Sequence, residues 1–207
     1  MRIGVFGGSF NPVHVGHLIA AECCREQARL DRVLFVPAAV PPHKQGHALA
    51  PAADRIAMLE LATAGHEAFA VSTVEIDRGG VSYTVDTLAS LGAAHPADTL
   101  VLLLGPDAFA GLPGWREPRT IADRCELVTV ERETLDDVGG LARDAGLASL
   151  LGAERVAAIV AERVRMPAVG IRASALRDAV AAGRSIRYLT PRAVETYIAS
   201  HSLYRGG

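Results

Sequence analysis

The segment GGSFNPVHVGH, residues 7–17, joins a short apolar run, Ile3 to Phe6, to a stretch with helical spacing from Leu18 to Leu30. Glycine, serine, asparagine and proline favour turns and helix caps, so the segment predicts a tight connection from strand to helix. Its only groups that titrate near neutral pH are His14 and His17. In an open parallel sheet, a turn of this kind is where ligands bind.

Other short apolar runs predict the rest of a sheet. Four runs rich in Val, Leu, Ile and Phe recur along the chain: Val33 to Val36, Phe69 to Val74, Thr99 to Leu104 and Leu127 to Val130. Strands that are apolar on both faces and alternate with helices predict an α/β fold, a Rossmann-like doubly wound parallel sheet with helices on both faces. The length of 207 residues fits a single domain, 1–207, with a small helical C-terminal part from about 171 to 207.

Polar residues before helical patterns predict where helices begin. Asp54, Ser174 and Thr190 each precede such a pattern and are expected to cap it. Residues 37–53 hold four of the eleven prolines, which predicts an extended surface loop. Residues 131–168 contain two helical stretches, and the sequence leaves their packing open.

Composition limits the class of function. The formal net charge of -2 argues against a general binder of nucleic acid or of membrane surfaces. An anionic ligand must therefore be met by a few placed groups. The chain shows neither a signal-peptide pattern nor an 18-residue apolar run, so a cytoplasmic protein is expected. Cys23, Cys24 and Cys125 form no disulfide framework and no zinc pattern, and are expected to be buried thiols.

The histidine segment, residues 7–17, has the features of an anion site. It lacks the spacings of the dinucleotide fingerprint and of the phosphate loop. Helix N-termini present amide donors and a partial positive charge, and residues three apart lie on one side of a helix. His14 and His17 are therefore expected to reach one ligand, and Gly16 leaves room for a flat ring near the backbone. No third ligand follows at a recognisable spacing, so no metal site is expected.

The same segment resembles the GG[ST]F[DN]PxHxGH signature of the nucleotidyltransferase superfamily. Within it, five further segments are similar to those of the bacterial nicotinate-mononucleotide adenylyltransferase family: PPHK (41–44), EIDRGGVSYTVDTL (75–88), GPDAFAGLPGW (105–115), GIRASALR (170–177) and VETYIASHSLY (194–204). The resemblance implies that ATP and nicotinate mononucleotide give nicotinate adenine dinucleotide and pyrophosphate by direct in-line attack, with Mg²⁺ arriving with ATP. It leaves open the preference for the acid over the amide mononucleotide, and whether the chain forms a homo-oligomer.

The resemblance also implies which residues act. The catalytic residues would be His14, His17 and Arg177. The residues that bind ATP would be Gly7, Gly8, Ser9, Phe10, Gly16, Gly105, Asp107 and Ser174. The residues that bind the second substrate would be Lys44, Ser82, Tyr83, Thr84, Asp86, Trp115 and Arg116. Pro106, Arg172 and Ala173 depart from the family's pattern.

The sequence leaves two other functions open. One is transfer of AMP to a different phosphate acceptor, such as phosphopantetheine, although such enzymes are typically shorter and lack the SYTVDTL and LPGW segments. The other is a nucleotide-binding sensor without turnover, which predicts damage to the histidines or to Arg177. Both are intact, and only Ala173, where one hydroxyl donor is missing, favours the sensor.

Overall fold

A computed structural model describes residues 1–42, 49–132 and 137–205. These ranges contain six strands: β1 (Arg2–Gly8), β2 (Arg32–Pro37), β3 (Phe69–Val71), β4 (Thr99–Leu104), β5 (Glu126–Arg132) and β6 (Val164–Met166). They also contain ten α-helices: α1 (Val15–Gln27), α2 (Ala52–Thr63), α3 (Val74–Arg78), α4 (Thr84–Ala94), α5 (Pro106–Gly111), α6 (Pro118–Arg124), α7 (Ala145–Leu151), α8 (Ala153–Ala161), α9 (Ala173–Ala181) and α10 (Arg192–Ser200).

The strands form one sheet in the order β3-β2-β1-β4-β5-β6. The pairs β1 with β4, β4 with β5, and β5 with β6 are parallel, and the register places Ile3 opposite Leu100. This order reverses at β1, as in doubly wound sheets, and ligands of such sheets bind at the carboxyl ends of the strands near the reversal. The predicted Rossmann-like α/β fold is confirmed, and the histidine segment begins with the last two residues of β1 and continues past its carboxyl end.

Contacts between Cα atoms divide the chain into two compact units. The first unit comprises Met1–Phe6, Ala20–Leu34 and Tyr83–Ala168. The second unit comprises Gly7–Ile19, Phe35–Ser82 and the residues from Val169 onward. The second unit therefore contains the whole histidine segment together with α9 and α10.

The strand predictions are largely confirmed, because buried β-branched and aliphatic runs are a strong signal. β2 and β4 are buried at nearly every position, as expected for parallel strands covered on both faces. β3 ends at Val71, earlier than predicted, because α3 begins at Val74. No sequence pattern predicted β6, since its three residues are too few to form one; β6 takes its place by pairing with β5.

The predicted caps at Asp54 and Thr190 are wrong, because Pro51 and Pro191 hold the N-cap positions of α2 and α10, and both predicted side chains bind elsewhere. The carboxylate of Asp54 lies in the first turn of α2 and accepts the hydroxyl hydrogen of Tyr197 at 2.8 Å. The buried hydroxyl of Thr190 donates to the carbonyl oxygen of Val13 at 2.9 Å. In both cases the side-chain oxygen that would have capped the helix is hydrogen-bonded to a residue distant in sequence.

The predicted cap at Ser174 is also wrong. α9 begins at Ala173, so Ser174 is the second residue of the helix and is exposed to solvent. Arg172 holds the N-cap position without a capping side-chain bond. The departure at Arg172 from the family's pattern therefore falls at the start of the helix that carries Arg177.

Cys23, Cys24 and Cys125 are free thiols; Cys24 and Cys125 are buried as expected, whereas Cys23 is only partly buried. No helix within the described ranges is long and apolar enough to cross a bilayer. The part of the 37–53 loop that is described includes a parallel bridge between Val40 and Val81.

Candidate functional site

The histidine segment forms a turn between β1 and α1 in the second unit. α1 begins at Val15, three residues before the predicted start at Leu18. His14 therefore directly precedes the helix, and His17 lies in its first turn. The carbonyl oxygen of His14 accepts the N–H of His17 at 2.9 Å and that of Leu18 at 3.4 Å. The prediction that both histidines lie at a helix N-terminus is correct.

The imidazole rings of His14 and His17 stack, with ring centroids 3.6 Å apart and planes inclined by 23°. The backbone N–H of His14 donates to Nδ1 of His17 at 3.2 Å. Because this nitrogen accepts, the proton of a neutral His17 ring lies on Nε2, which can donate to a ligand. Nδ1 of His14 is buried and has no hydrogen-bond partner within the described ranges.

Burial keeps both rings neutral near pH 7. It lowers the pKa of His14 to about 4. Burial, and then the charge of a protonated His14, lower the pKa of His17 to about 3. The two imidazoles are therefore neutral hydrogen-bond donors when an anion binds. The bound anion would then raise the pKa of both rings.

Two glycines make room for rings of the segment itself. A Cβ atom at Gly16 would lie 3.1 Å from Nδ1 of His14. A Cβ atom at Gly8 would lie 3.0 Å from the ring of Phe10. The imidazole of His14 thus occupies the space beside Gly16. Phe10 is a core residue that meets His17 edge to face, with 5.1 Å between ring centroids.

Side chains from three other segments hold alternate carbonyl groups of the turn. Nη1 of Arg55 donates to Ser9 at 3.0 Å, Nη1 of Arg177 donates to Asn11 at 2.8 Å, and the Thr190 hydroxyl donates to Val13 at 2.9 Å. The backbone leading to the two histidines is therefore fixed at three points. The sequence predicted Arg177 in this region, but as a phosphate ligand and not as a backbone donor.

Arg55 is a site residue that sequence reasoning missed. Its side chain is 2% exposed, and its guanidinium also donates to the carbonyl oxygens of Ala38 at 2.7 Å and Ala50 at 3.1 Å. Burial lowers its pKa. The sequence did hold a signal for the burial of Arg55. Met58 and Leu59 follow it by three and four residues, which places Arg55 on the apolar face of α2.

The structure brings some predicted residues of the second unit to this turn and places others apart from it. Arg177 contacts the turn, and Ser174 lies one helical turn before it in α9, so both face one side of the helix. Ser82 is buried, and its hydroxyl accepts the N–H of Ala39 at 2.8 Å. Lys44 lies outside the described residues.

Other predicted residues lie in the first unit, where three of them meet. Cζ of Arg116 lies 4.7 Å from the centroid of the Tyr83 ring, a cation–π distance. Nη1 of Arg116 also lies 3.8 Å from a carboxylate oxygen of Asp86. Thr84 begins α4, next to Tyr83, and Trp115 is half-buried. The predicted substrate-binding side chains Tyr83, Asp86 and Arg116 thus form one cluster.

The two remaining predicted residues of the first unit follow β4. Gly105 holds the N-cap position of α5, and Asp107 lies exposed in the first turn of that helix. Pro106, which departs from the family's pattern, is the first residue of α5. A proline is well accommodated there, because its missing N–H would have no partner within the helix.

Comparison with known proteins gives one consistent result. Residues 5–179 match the model of cytidylyltransferase-like proteins. A protein of Thermomicrobium roseum, named a probable nicotinate-nucleotide adenylyltransferase, is 43% identical over 99% of this chain and 92% of its own. A protein of Thermus thermophilus with the same name is 43% identical over 99% of this chain and 100% of its own.

Solved structures agree on the fold. The nicotinic acid mononucleotide adenylyltransferase of Plasmodium falciparum complexed with NaAD has a TM-score of 0.75 and 16% identity, covering 98% of this chain and 97% of that one. The same enzyme complexed with APC has a TM-score of 0.73 and 16% identity, with coverage of 98% and 96%.

Proposed function

The chain belongs to the cytidylyltransferase-like family and to the nicotinate-nucleotide adenylyltransferases within it, and we propose that it joins ATP to nicotinate mononucleotide. The products are nicotinate adenine dinucleotide and pyrophosphate, a step of NAD biosynthesis. The observation that carries this proposal is the stacked, neutral pair of His14 and His17 at the start of α1. The choice of substrate follows from the relatives that share 43% of their residues with the full chain.

The reaction needs no protein nucleophile. A phosphate oxygen of nicotinate mononucleotide attacks the α-phosphorus of ATP, the bond from that phosphorus to the bridging oxygen of the β-phosphate breaks, and pyrophosphate leaves. Catalysis then depends on positioning and on stabilising the developing negative charge. His17 donates from Nε2 to a phosphate oxygen. The anion in turn favours the protonated ring, so this interaction strengthens as charge develops.

The rest of the ATP site consists of groups that bind phosphate and adenosine. The backbone of Gly7, Gly8, Ser9 and Phe10 and the N-terminus of α1 offer amide donors, and Gly16 gives the His14 ring its position. The guanidinium of Arg177 has five N–H groups, one of which donates to the carbonyl oxygen of Asn11. Its other N–H groups, together with the Ser174 hydroxyl, bind the leaving pyrophosphate. Gly105 and Asp107 are assigned to adenosine.

The nicotinate mononucleotide is assigned to a separate set of side chains. The cluster of Tyr83, Asp86 and Arg116 combines a ring face with both charges, and Trp115 supplies a second aromatic surface for the pyridine ring. The set also includes Ser82, Thr84 and Lys44. We propose that each of these side chains contacts the nicotinate mononucleotide directly.

Mg²⁺ enters with ATP in this proposal, bound to the phosphates and to water, as is usual for this ion. Within the described ranges no three His, Cys, Asp or Glu side chains are grouped to hold a metal ion. No residue of the chain is assigned to Mg²⁺ in this proposal. We also place the enzyme in the cytoplasm.

One assay tests the proposal. Pyrophosphate release is measured with ATP and either nicotinate or nicotinamide mononucleotide, with phosphopantetheine as a third acceptor. We expect release with nicotinate mononucleotide, strongly reduced by His17→Ala and unaffected by His201→Ala, which alters an exposed histidine of the same unit. Release with phosphopantetheine alone would support the other transferase, and ATP binding without release would support a sensor.

A further inference from the structure

Asn11 connects the histidine segment to three residues that lie far from it in the sequence of the second unit. Its side chain is 3% exposed. Its Oδ1 atom accepts the N–H of Ala50 at 3.0 Å and the hydroxyl hydrogen of Tyr204 at 2.8 Å. Its backbone oxygen accepts Nη1 of Arg177 at 2.8 Å. A carbonyl oxygen has two lone pairs, so two donors saturate the Asn11 side chain on its acceptor side.

The Tyr204 hydroxyl keeps its proton and therefore remains a hydrogen-bond donor to Asn11. Burial raises its pKa well above the ordinary value, while the charges of Arg177 and Arg55 act in the opposite direction. The phenol is therefore protonated at physiological pH. The chain reaches this position because the backbone turns back after α10, where the N–H of Leu203 donates to the carbonyl of Ile198 at 3.0 Å.

A shift of Asn11 would be transmitted to the histidines. Asn11 lies three residues before His14, whose N–H fixes the orientation and tautomer of His17 through the 3.2 Å bond to Nδ1. Arg55 and Thr190 hold the backbone on either side of Asn11, at Ser9 and Val13. The Asn11 side chain itself is held by the N–H of Ala50 and by the hydroxyl of Tyr204 in the C-terminal segment.

We propose that Tyr204 is a positioning residue for the adenylyl transfer, acting through its hydrogen bond to the side chain of Asn11 to hold the His14–His17 pair in place. This rests on the proposed function for its effect on turnover. Tyr204 thereby supports catalysis from outside the histidine segment, although it is assigned no contact with substrate. A change at Tyr204 should therefore alter kcat more than the KM for ATP.

The test compares Tyr204→Phe with Tyr197→Phe. Both remove one buried or partly buried phenol hydroxyl of the same unit, but the Tyr197 hydroxyl binds Asp54, at 2.8 Å, and not the histidine segment. We expect Tyr204→Phe to lower kcat by about tenfold, with the KM for ATP changed less than about threefold, because small displacements of positioned groups are costly in rate. Tyr197→Phe should stay within about twofold of the parent chain.

A second readout does not depend on turnover. Histidine labelled with ¹³C at Cε1 reports ring titration by NMR, with His14→Gln and His17→Gln as assignment variants. We expect Tyr204→Phe to raise the lowered pKa of His17, so that its ring begins to titrate at a higher pH than in the parent chain, because a loosened turn admits water to the ring. If the parent chain releases no pyrophosphate, the proposed function fails and this titration alone decides the role of Tyr204.

The inference is overturned if Tyr204→Phe and Tyr197→Phe give the same kcat and the same histidine titration. It is equally overturned if Tyr204→Phe only lowers the unfolding temperature while kcat and titration stay at parent values, since Tyr204 would then serve stability alone. A fall in kcat at constant thermal stability, restricted to Tyr204→Phe, supports it.

Discussion

Arg55→Met is the substitution whose effect the structure defines most sharply. Arg55 is buried, and its guanidinium donates to the carbonyl oxygens of Ser9, Ala38 and Ala50 at 3.0, 2.7 and 3.1 Å. Methionine has a long unbranched side chain that refills most of the space. It donates no hydrogen bond, so all three acceptors lose a charged donor at once.

The expected loss follows from those three bonds. A hydrogen bond from a charged donor contributes about 1 to 2 kcal/mol net of desolvation when one partner is removed. Loss of three therefore predicts that the free energy of unfolding falls by about 3 to 6 kcal/mol. For a chain of this size, such a loss lowers the unfolding temperature by roughly 10 °C. Turnover should fall as well, because the carbonyl of Ser9 in the histidine segment is released.

Urea unfolding followed by circular dichroism measures the loss, and Arg192→Met is the matched control. Arg192 lies in the same unit, pairs with Glu195 at 2.8 Å, and its side chain is 67% exposed. An exposed pair of this kind contributes less than about 1 kcal/mol. If Arg55→Met shifts the unfolding midpoint no more than Arg192→Met, the buried clamp has no energetic role and the reasoning fails.

Three more outcomes are expected. Gly16→Ala should reduce kcat by about tenfold with the fold retained, because its Cβ atom would press on His14 at 3.1 Å; a parent-like kcat would contradict the assigned role of the stacked pair. Gly92 lies inside α4, and a Cβ atom added there meets nothing within 4 Å. Gly92→Ala should therefore raise the free energy of unfolding, measured by urea titration, by about 0.5 to 1 kcal/mol, and a lower free energy of unfolding would contradict this prediction. Lowering the pH from 7 to 5 should reduce the free energy of unfolding by about 2 kcal/mol for each of the two imidazoles. The pKa values in the folded chain, about 4 for His14 and about 3 for His17, lie below the ordinary histidine pKa of 6.5, so protonation favours the unfolded chain. His17→Gln should make that reduction smaller, and an unchanged pH dependence would count against the low pKa of His17.

The sequence carried much of the site because its chemistry is local. Two histidines three residues apart after a strand, with a glycine between them, predict a helix N-terminus and a shared ligand from spacing alone. The structure confirms the position at the helix N-terminus and adds the stacking of the rings. Resemblance to a family supplied the reaction, which spacing could not, since an anion site at a helix mouth fits many phosphate ligands.

The predicted caps failed because local sequence does not determine the residue at which a helix begins, and because a polar side chain has more than one suitable partner. Asp54, Thr190 and Ser174 all have residue types that cap helices, and local sequence favours that role. Tyr197 and Val13 lie far along the chain from Asp54 and Thr190. Hydrogen bonds over such separations depend on which segments the fold brings together, and no local pattern records them.

The sequence by itself determined the alternation of strands and helices, the parallel sheet and the place of the histidine segment, because burial and turn chemistry act over a few neighbouring residues. Only the tertiary structure decided that Arg55, Arg177, Thr190 and Tyr204 hold that segment, and that both imidazoles are neutral. Hydrogen-bond geometry and desolvation depend on atoms that the chain brings together only when it folds, and these set the orientation and the charge of the two histidines.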